Sequence, residues 1–348
     1  MILRSLTLTN FRNYENFKID FKPITIFVGP NGIGKTNLIE AIHLLSLGKS
    51  YRTQDSFELI KWDEDFCRIV GKVEKNDLEL FIDKNTEQKS VKINEVKKKS
   101  IELFGKLKTV LFSPESIDIV IGAPRLRRRF LDVILSQINR EYLYNLIELQ
   151  KIIKNRNALL KNIRDRKSIP KELDFWNEKL VDLSNLIIKE RLELIKFIEK
   201  DISVLFPLFK IDKGDLKIKY IPSVPDMNYF SDLLAQNQER EIALSSTLFG
   251  PHRDDLQFLL DNRDINSFAS RGEIRSVVFS LKMAELNYLK TKDPNTLLLL
   301  DDIFSELDKI RREKLSEIIK DQATIITTTD ESFIDEKLKK KAKIVGLK

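Results

Sequence analysis

The sequence has a single cysteine, Cys67, among 348 residues. One thiol excludes an internal disulfide and suits a reducing cytosol. No apolar run reaches the length of a membrane span, and the N-terminus lacks the pattern of a secretory leader. A cytoplasmic protein is therefore expected. An integral transporter is excluded, although a cytosolic ATPase subunit of one is not. Low-complexity tracts and short internal repeats are missing as well. At this length two domains are expected. The net charge of +7 is modest, so the location of the charges matters more than their sum.

What is present begins with GPNGIGKT (29–36), which matches the phosphate-binding pattern G-x-x-x-x-G-K-[ST]. ITIFVG (24–29) reads as a short β-branched strand, and TNLIEAIHLLSL (36–47) has the apolar spacing of a helix. Strand, glycine loop and helix form the setting that this chemistry needs. Backbone N–H groups of the loop and the helix N-terminus face the phosphates of a nucleotide. Lys35 reaches the β- and γ-phosphates in this reading, and the Thr36 hydroxyl is a ligand of Mg²⁺.

Two further stretches supply chemistry near the C-terminus. TLLLLDDIFSELD (296–308) is an apolar run ending in two acids, as a buried parallel strand would be. Asp301 is placed to hold the Mg²⁺ shell, and Asp302 to orient or deprotonate an attacking water. ASRGEIRSVVFSLKMAEL (269–286) reads first as a helix opened by a capping box, Ser270-x-x-Glu273. Ser270 and Gly272 at that helix N-terminus also suit a phosphate. With one phosphate loop already present, this second site is expected to serve the nucleotide of another subunit.

Charge and periodicity single out the middle of the chain. Arg125 to Lys171 holds thirteen Lys/Arg against four Asp/Glu, and KINEVKKKS (92–100) adds a second basic cluster. Such an excess on one element is either a solvated helix face or the footprint of a phosphate-backbone binder. Apolar positions run from Leu126 to Ile163 and, after RDRKSIPKE (164–172), from Leu173 to Leu205 at helical spacing. They predict two long antiparallel amphipathic helices. More than 250 residues separate the phosphate loop from the acidic strand, so an arm is inserted in a nucleotide-binding domain. Residues 1–113 with 206–348 are expected to form the head, and 114–205 the arm.

Phosphate loop, S-x-G helix, acidic strand and SELD turn together resemble the ATP-binding-cassette heads of the SMC and Rad50 type. The match is closer still to the RecF family of bacterial recombination mediators. It is carried by LTLTNFRNY (6–14), GPNGIGKTNLIEAI (29–42), LLSLGKSYR (44–52), FSPESIDIVIGAPRLRRRFLD (112–132), GPHRDDL (250–256) and LLLLDDIFSELD (297–308). These stretches stand in family order and cover essentially the whole chain. The implied fold class is α/β: an ABC-type P-loop ATPase head with an inserted helical arm.

The resemblance also implies residue roles. Gly29, Pro30, Asn31, Gly32, Ile33, Gly34, Lys35, Thr36 and Asn37 form the loop around ATP, with Arg12 and Asn13 near the nucleotide. Arg52 stands where an arginine can reach over the phosphates. Ser270, Arg271 and Gly272 are the signature, and Ser305 to Asp308 the D-loop. Lys35, Asp301 and Asp302 are the catalytic set, and Thr36 and Asp301 the metal ligands. Two departures stand out: Glu273 replaces the usual Gln, and Thr329 fills the place of a switch histidine. His252 is expected to be a packed, hydrogen-bonded core residue.

The function so implied is an ATP switch that dimerises around two ATP molecules. It binds duplex DNA at single-strand gaps or junctions and helps RecO and RecR load RecA. Slow, DNA-stimulated hydrolysis resets it. Lys97, Lys98, Lys99, Arg127, Arg128 and Arg129 are the candidate DNA contacts, although the three arginines can equally brace the arm. A kinase or a transporter ATPase subunit is the alternative. The S-x-G helix, which needs a second nucleotide-bearing subunit, speaks against the kinase, and the basic arm against the transporter.

Overall fold

In the computed structural model, residues 3–74, 76–209 and 214–347 are described. The first elements are β1 (Leu3–Phe11), β2 (Tyr14–Asp20), β3 (Ile24–Val28) and α1 (Lys35–Leu47), followed by β4 (Phe66–Val73), β5 (Asn76–Asp83), β6 (Gln88–Ile93), β7 (Val96–Lys98) and β8 (Thr109–Phe112). All but β3 and β8 of these strands form an antiparallel sheet ordered β2-β1-β4-β5-β6-β7. The β6–β7 hairpin turns through Asn94 and Glu95, both at positive φ (51° and 67°), the twist that suits a tight hairpin.

Helix α1 buries eleven of its thirteen residues, from Lys35 to Leu47. A helix covered on all sides belongs in a core. Its Leu38, Ile42 and Leu45 share one cluster with Leu6, Phe11 and Ile69 of the antiparallel sheet and with Leu299 and Ile325 further along the chain. A Cβ on Gly71 in β4 would meet Leu45 Cδ1 at 2.5 Å, so the missing side chain lets helix and sheet close up.

The middle of the chain holds α2 (Asp118–Ile121), α3 (Pro124–Ile138), α4 (Arg140–Arg164), α5 (Leu173–Phe209), β9 (Leu216–Ile221), α6 (Phe230–Gln236), α7 (Gln238–Leu244), β10 (Asp255–Leu260), β11 (Arg263–Asp264), α8 (Ile265–Phe268) and α9 (Arg271–Lys292). The first expected arm helix is thus two helices. At Asn139 the backbone is extended and the side chain accepts from Tyr142 N, capping α4. An N-cap satisfies an end that an unbroken helix would not have. The apolar spacing runs across this break and hides it.

Compactness divides the chain into one unit of Met1–Ser116 with Glu285–Lys348 and a second of Ile117–Ala284. The expected border at 205/206 therefore differs from the observed one at 284/285. Residues 206–284 pack with the arm because β9 pairs with β10 in a three-stranded sheet ordered β11-β10-β9, and α4 lies against α7.

The chain ends with β12 (Leu297–Asp301), α10 (Ile303–Glu306), α11 (Lys309–Ile319), β13 (Thr324–Thr328), α12 (Glu336–Lys341) and β14 (Lys343–Gly346). These strands join β3 and β8 in a parallel sheet ordered β14-β3-β13-β12-β8. Every residue of β12 and β13 is buried, the mark of a parallel sheet covered on both faces. In this sheet β13 stands between β3 and β12, and the ligand side of such a sheet lies beyond the strands' carboxyl ends.

Candidate functional site

At the end of β3 the chain turns through residues 29–34 and enters α1. Gly32 and Gly34 take φ of 84° and 109°, the left-handed region that glycine enters without steric cost. Gly34 has a second reason to be glycine. A Cβ there would lie 2.5 Å from Asn13 Nδ2 and 2.9 Å from the Tyr14 hydroxyl. Both neighbours hold the loop, for Asn13 donates to Ile33 O at 2.9 Å and Tyr14 to Gly34 O at 3.1 Å. Asn37 donates to Asn13 Oδ1. Pro30, Asn31 and Gly32 form the exposed crest of the loop.

Lys35 is buried, and its ammonium donates to the carbonyls of Gly29 at 2.6 Å and Pro30 at 2.8 Å. Burial pushes its pKa below the usual lysine range, against an upward pull from Asp302 and Asp301. The Thr36 hydroxyl donates to Asp301 Oδ1 at 3.1 Å, and Thr327 donates to the same oxygen at 2.7 Å. Burial raises the Asp301 pKa. The two threonine hydroxyls oppose that rise, while the charges of Glu115 and Asp302 add to it.

Asp302 is in the left-handed region (φ 54°), and its N–H donates to Thr327 O at 3.2 Å. Its Oδ1 is buried without a hydrogen-bond partner among the described residues. A buried carboxylate oxygen with no donor marks a place for a water or an ion. Ser305 donates to Asp302 O at 2.6 Å, and Asp308 caps α11 by accepting from Arg311 N. Thr329, half-buried, follows the end of β13. Lys35, Thr36, Asp301 and Asp302 thus meet at one end of the parallel sheet.

Two arginines expected beside a nucleotide are held from behind. Arg12 grips Glu40 with Nε at 3.0 Å and Nη2 at 2.9 Å, and gives Nη1 to Glu58 O at 2.8 Å. Arg52 Nη1 donates to Asn37 Oδ1 at 2.8 Å and to Glu40 Oε2 at 3.2 Å. Sequence reasoning missed Glu40 and Thr327. Glu40 stands out in the sequence as the only acid in the apolar helix 36–47, whereas Thr327 is just the first of three threonines at the end of a buried strand.

In the second unit, Ser270 and Glu273 close the expected capping box, with Ser270 N donating to Glu273 Oε2 at 2.7 Å and Glu273 N to Ser270 Oγ at 3.3 Å. Ser270 and Arg271 are exposed at the start of α9, and Gly272 is half-buried. His252, expected in the core, is half-buried, and its Nε2 is bonded to Thr247 O at 3.2 Å.

The basic residues need correction. Arg127, expected at DNA, is buried in a bidentate pair with Asp255, at 2.6 and 2.9 Å, and also donates to Gly122 O. It is a brace. Arg128 is half-buried and donates to Asp254 O, which leaves Arg129 as the exposed member of the three. Arg156, inside the same basic segment, is fully buried and bonds Asn177, Thr247 and Glu241. Arg191 likewise bonds Asp132 and Pro251 O from within. The R-R-x-F-L-D and H-R-D-D stretches are therefore two halves of one internal polar network. Lys97, Lys98 and Lys99 are all exposed on the edge strand β7 and just beyond it.

Comparison with known proteins places this geometry. The RecF/RecN/SMC N-terminal domain family matches over residues 2–347. The DNA replication and repair protein RecF of Lachnoclostridium phytofermentans is 39% identical over 346 residues, 97% of this chain and 96% of that protein. A solved structure of the recombination mediator protein RecF with ATP, in the RecFOR pathway, is 31% identical with a TM-score of 0.89, covering 96% of this chain and 93% of that one. An Smc head domain from Pyrococcus yayanosii shares the fold alone, at 14% identity and a TM-score of 0.58 over 99% of this chain and 94% of that one. The fold is the ABC-type ATPase head expected from the sequence, and the chain belongs to the RecF family of DNA replication and repair proteins.

Proposed function

We propose that the chain is an ATP-dependent DNA-binding switch acting in the cytoplasm. The observation that carries this reading is the convergence of Lys35, Thr36, Asp301 and Asp302, whose Oδ1 has no hydrogen-bond partner among the described residues, at the carboxyl ends of β3 and β12. ATP lies along residues 29–37, with the loop N–H groups and the N-terminus of α1 toward its phosphates. Lys35 exchanges the carbonyls of Gly29 and Pro30 for phosphate oxygens. Thr36 and Asp301 fit Mg²⁺, which is usually bound through one or two carboxylates, substrate phosphates and several waters. Magnesium, when bound, neutralises phosphate charge. Asp302 orients or deprotonates the attacking water.

Ser270, Arg271 and Gly272 serve the nucleotide of a second copy, and Asp308 sits in the turn that faces it. ATP thereby dimerises the protein, and slow hydrolysis, stimulated by DNA, releases it. The DNA is duplex bordering a single-strand gap or junction, contacted by Lys97, Lys98, Lys99 and Arg129. With RecR and RecO the switch helps load RecA, a reading supported by the solved relative in the RecFOR pathway. Sedimentation with and without ATP, repeated with gapped duplex, tests this. An ATP-dependent doubling of mass and tighter DNA association are expected. Identical behaviour with and without ATP would remove the switch.

A further inference from the structure

Glu40 is fully buried in α1, and three side chains donate to it: Arg12, Arg52 and Ser50, the last at 2.5 Å. The two guanidinium groups are held unequally. Arg12 makes a bidentate pair, gives its remaining nitrogen to Glu58 O, and is 19% exposed. Arg52 makes one longer bond to Glu40, shares that nitrogen with Asn37, and is 37% exposed. Asn37 follows Thr36 directly and is tied through Asn13 to the loop. Two positive groups against one buried carboxylate leave an excess of positive charge at the rim of the phosphate loop.

We propose that Glu40 is a positioning residue of the nucleotide site, fixing Arg12 permanently and holding Arg52 in a pose from which a polyphosphate recruits it. This rests on the ATP reading above. A phosphate offers Arg52 a bidentate, charge-assisted partner in place of a single longer bond. When Arg52 leaves, Glu40 keeps Arg12 and Ser50 and is not stranded. Withdrawing Arg12 instead would break both bonds of the bidentate pair and the bond to the Glu58 carbonyl, three bonds against the two of the Arg52 side chain, so Arg12 stays. Glu40 touches no nucleotide itself and acts through the two arginines.

Glu40→Gln keeps the shape and removes the charge. ATP affinity, measured at equilibrium on the full chain, is expected to fall roughly tenfold to a hundredfold, the scale of a lost hydrogen bond to a charged group. Adding Arg52→Met to Glu40→Gln is expected to cost little more, because Arg52 has already lost its place, and Glu40→Asp should recover part of the loss. Unchanged or tighter ATP binding in folded Glu40→Gln, or fully additive losses in the pair, overturns the proposal. A parent chain that binds no ATP overturns the proposed function itself. Should Glu40→Gln not fold, the parent with ¹⁵N-labelled arginine decides. On adding ATP the Arg52 guanidinium signal, assigned with Arg52→Met, is expected to move while that of Arg12 stays. Movement of both signals, or of neither, overturns the assignment.

Discussion

The Thr36 hydroxyl lies 3.1 Å from Asp301 Oδ1 although 265 residues separate the two in sequence. The parallel order β3-β13-β12 closes that gap. Thr327, on the strand between, donates to the same oxygen at 2.7 Å. A buried carboxylate held by two hydroxyls is costly without a cation nearby, and Lys35, whose own pKa is lowered by burial, is directed to the loop carbonyls instead. That arrangement supports the proposal that the pair holds a metal together with the nucleotide.

Lys35→Met should abolish ATP binding and ATP-driven change while leaving the circular-dichroism spectrum intact. Asp302→Asn should still bind ATP but hydrolyse it more slowly, by on the order of a hundredfold, the scale of a lost general base. Phosphate release under ATP saturation measures this. Hydrolysis at the parent rate without the Asp302 carboxylate would take that residue out of the reaction.

Ser270→Ala separates cap from signature. Loss of the Ser270 Oγ bond to Glu273 N should cost about 1 kcal/mol of stability, the usual worth of an N-cap. A pure cap would do nothing more. We expect ATP binding to survive and ATP-driven dimerisation to fail. A normal dimer of this variant with ATP in sedimentation would leave only the capping box.

The head was legible in the sequence because its signals are local: a glycine loop between strand and helix, and an apolar run ending in two acids. What stayed hidden depends on partners distant in the chain. Thr36 and Asp301 could be named separately, but Thr327 between them required the strand order. Glu40 looked like one polar residue in an apolar helix until Arg12 and Arg52 were seen to meet on it. The charge count of the arm misled in the same way. Thirteen basic residues from Arg125 to Lys171 include Arg127 and Arg156, both buried and paired internally. Sequence shows the sign of a charge but not the carboxylate that answers it.

His252 sets a pH dependence. Burial pushes its pKa from 6.5 down to about 4, while its bond to Thr247 O acts in the other direction. The folded protein therefore holds a neutral ring where the unfolded chain binds a proton. As pH falls from about 6.5 toward 4 the unfolded state takes up that proton first, so stability is lost over this window and is fully present above it. The full effect is on the order of 3 kcal/mol. Urea unfolding at pH 7.5 and at pH 4.5 should show the parent losing more stability on acidification than His252→Asn. Equal losses would show that the ring does not resist protonation.

Arg127 and the lysines of 97–99 should part company when mutated. Arg127→Ala leaves Asp255 without its bidentate partner and Gly122 O without its donor. Asp255 keeps some solvent access, so the cost should be nearer about 2 kcal/mol than the 3–5 of a fully buried broken pair. Any loss of DNA binding there follows from damage to the fold. Lys97, Lys98 and Lys99 are exposed, and Lys98 alone of the three has an ion pair among the described residues, a loose 3.7 Å approach to Glu102. Such lysines can also do no more than guard an edge strand against pairing. Changing all three to Glu should leave stability within about 0.5 kcal/mol per site. If they meet duplex phosphates, the same change should weaken DNA binding far more than ATP binding. It should also flatten the dependence of log affinity on log salt, by roughly 0.9 for each phosphate no longer neutralised. Sequence preference should be slight before and after, since binding to the DNA backbone carries no base information. Fluorescence anisotropy across a salt series reads all of this at once. Unchanged affinity and slope in the triple variant would make the cluster an edge guard and move the DNA surface elsewhere.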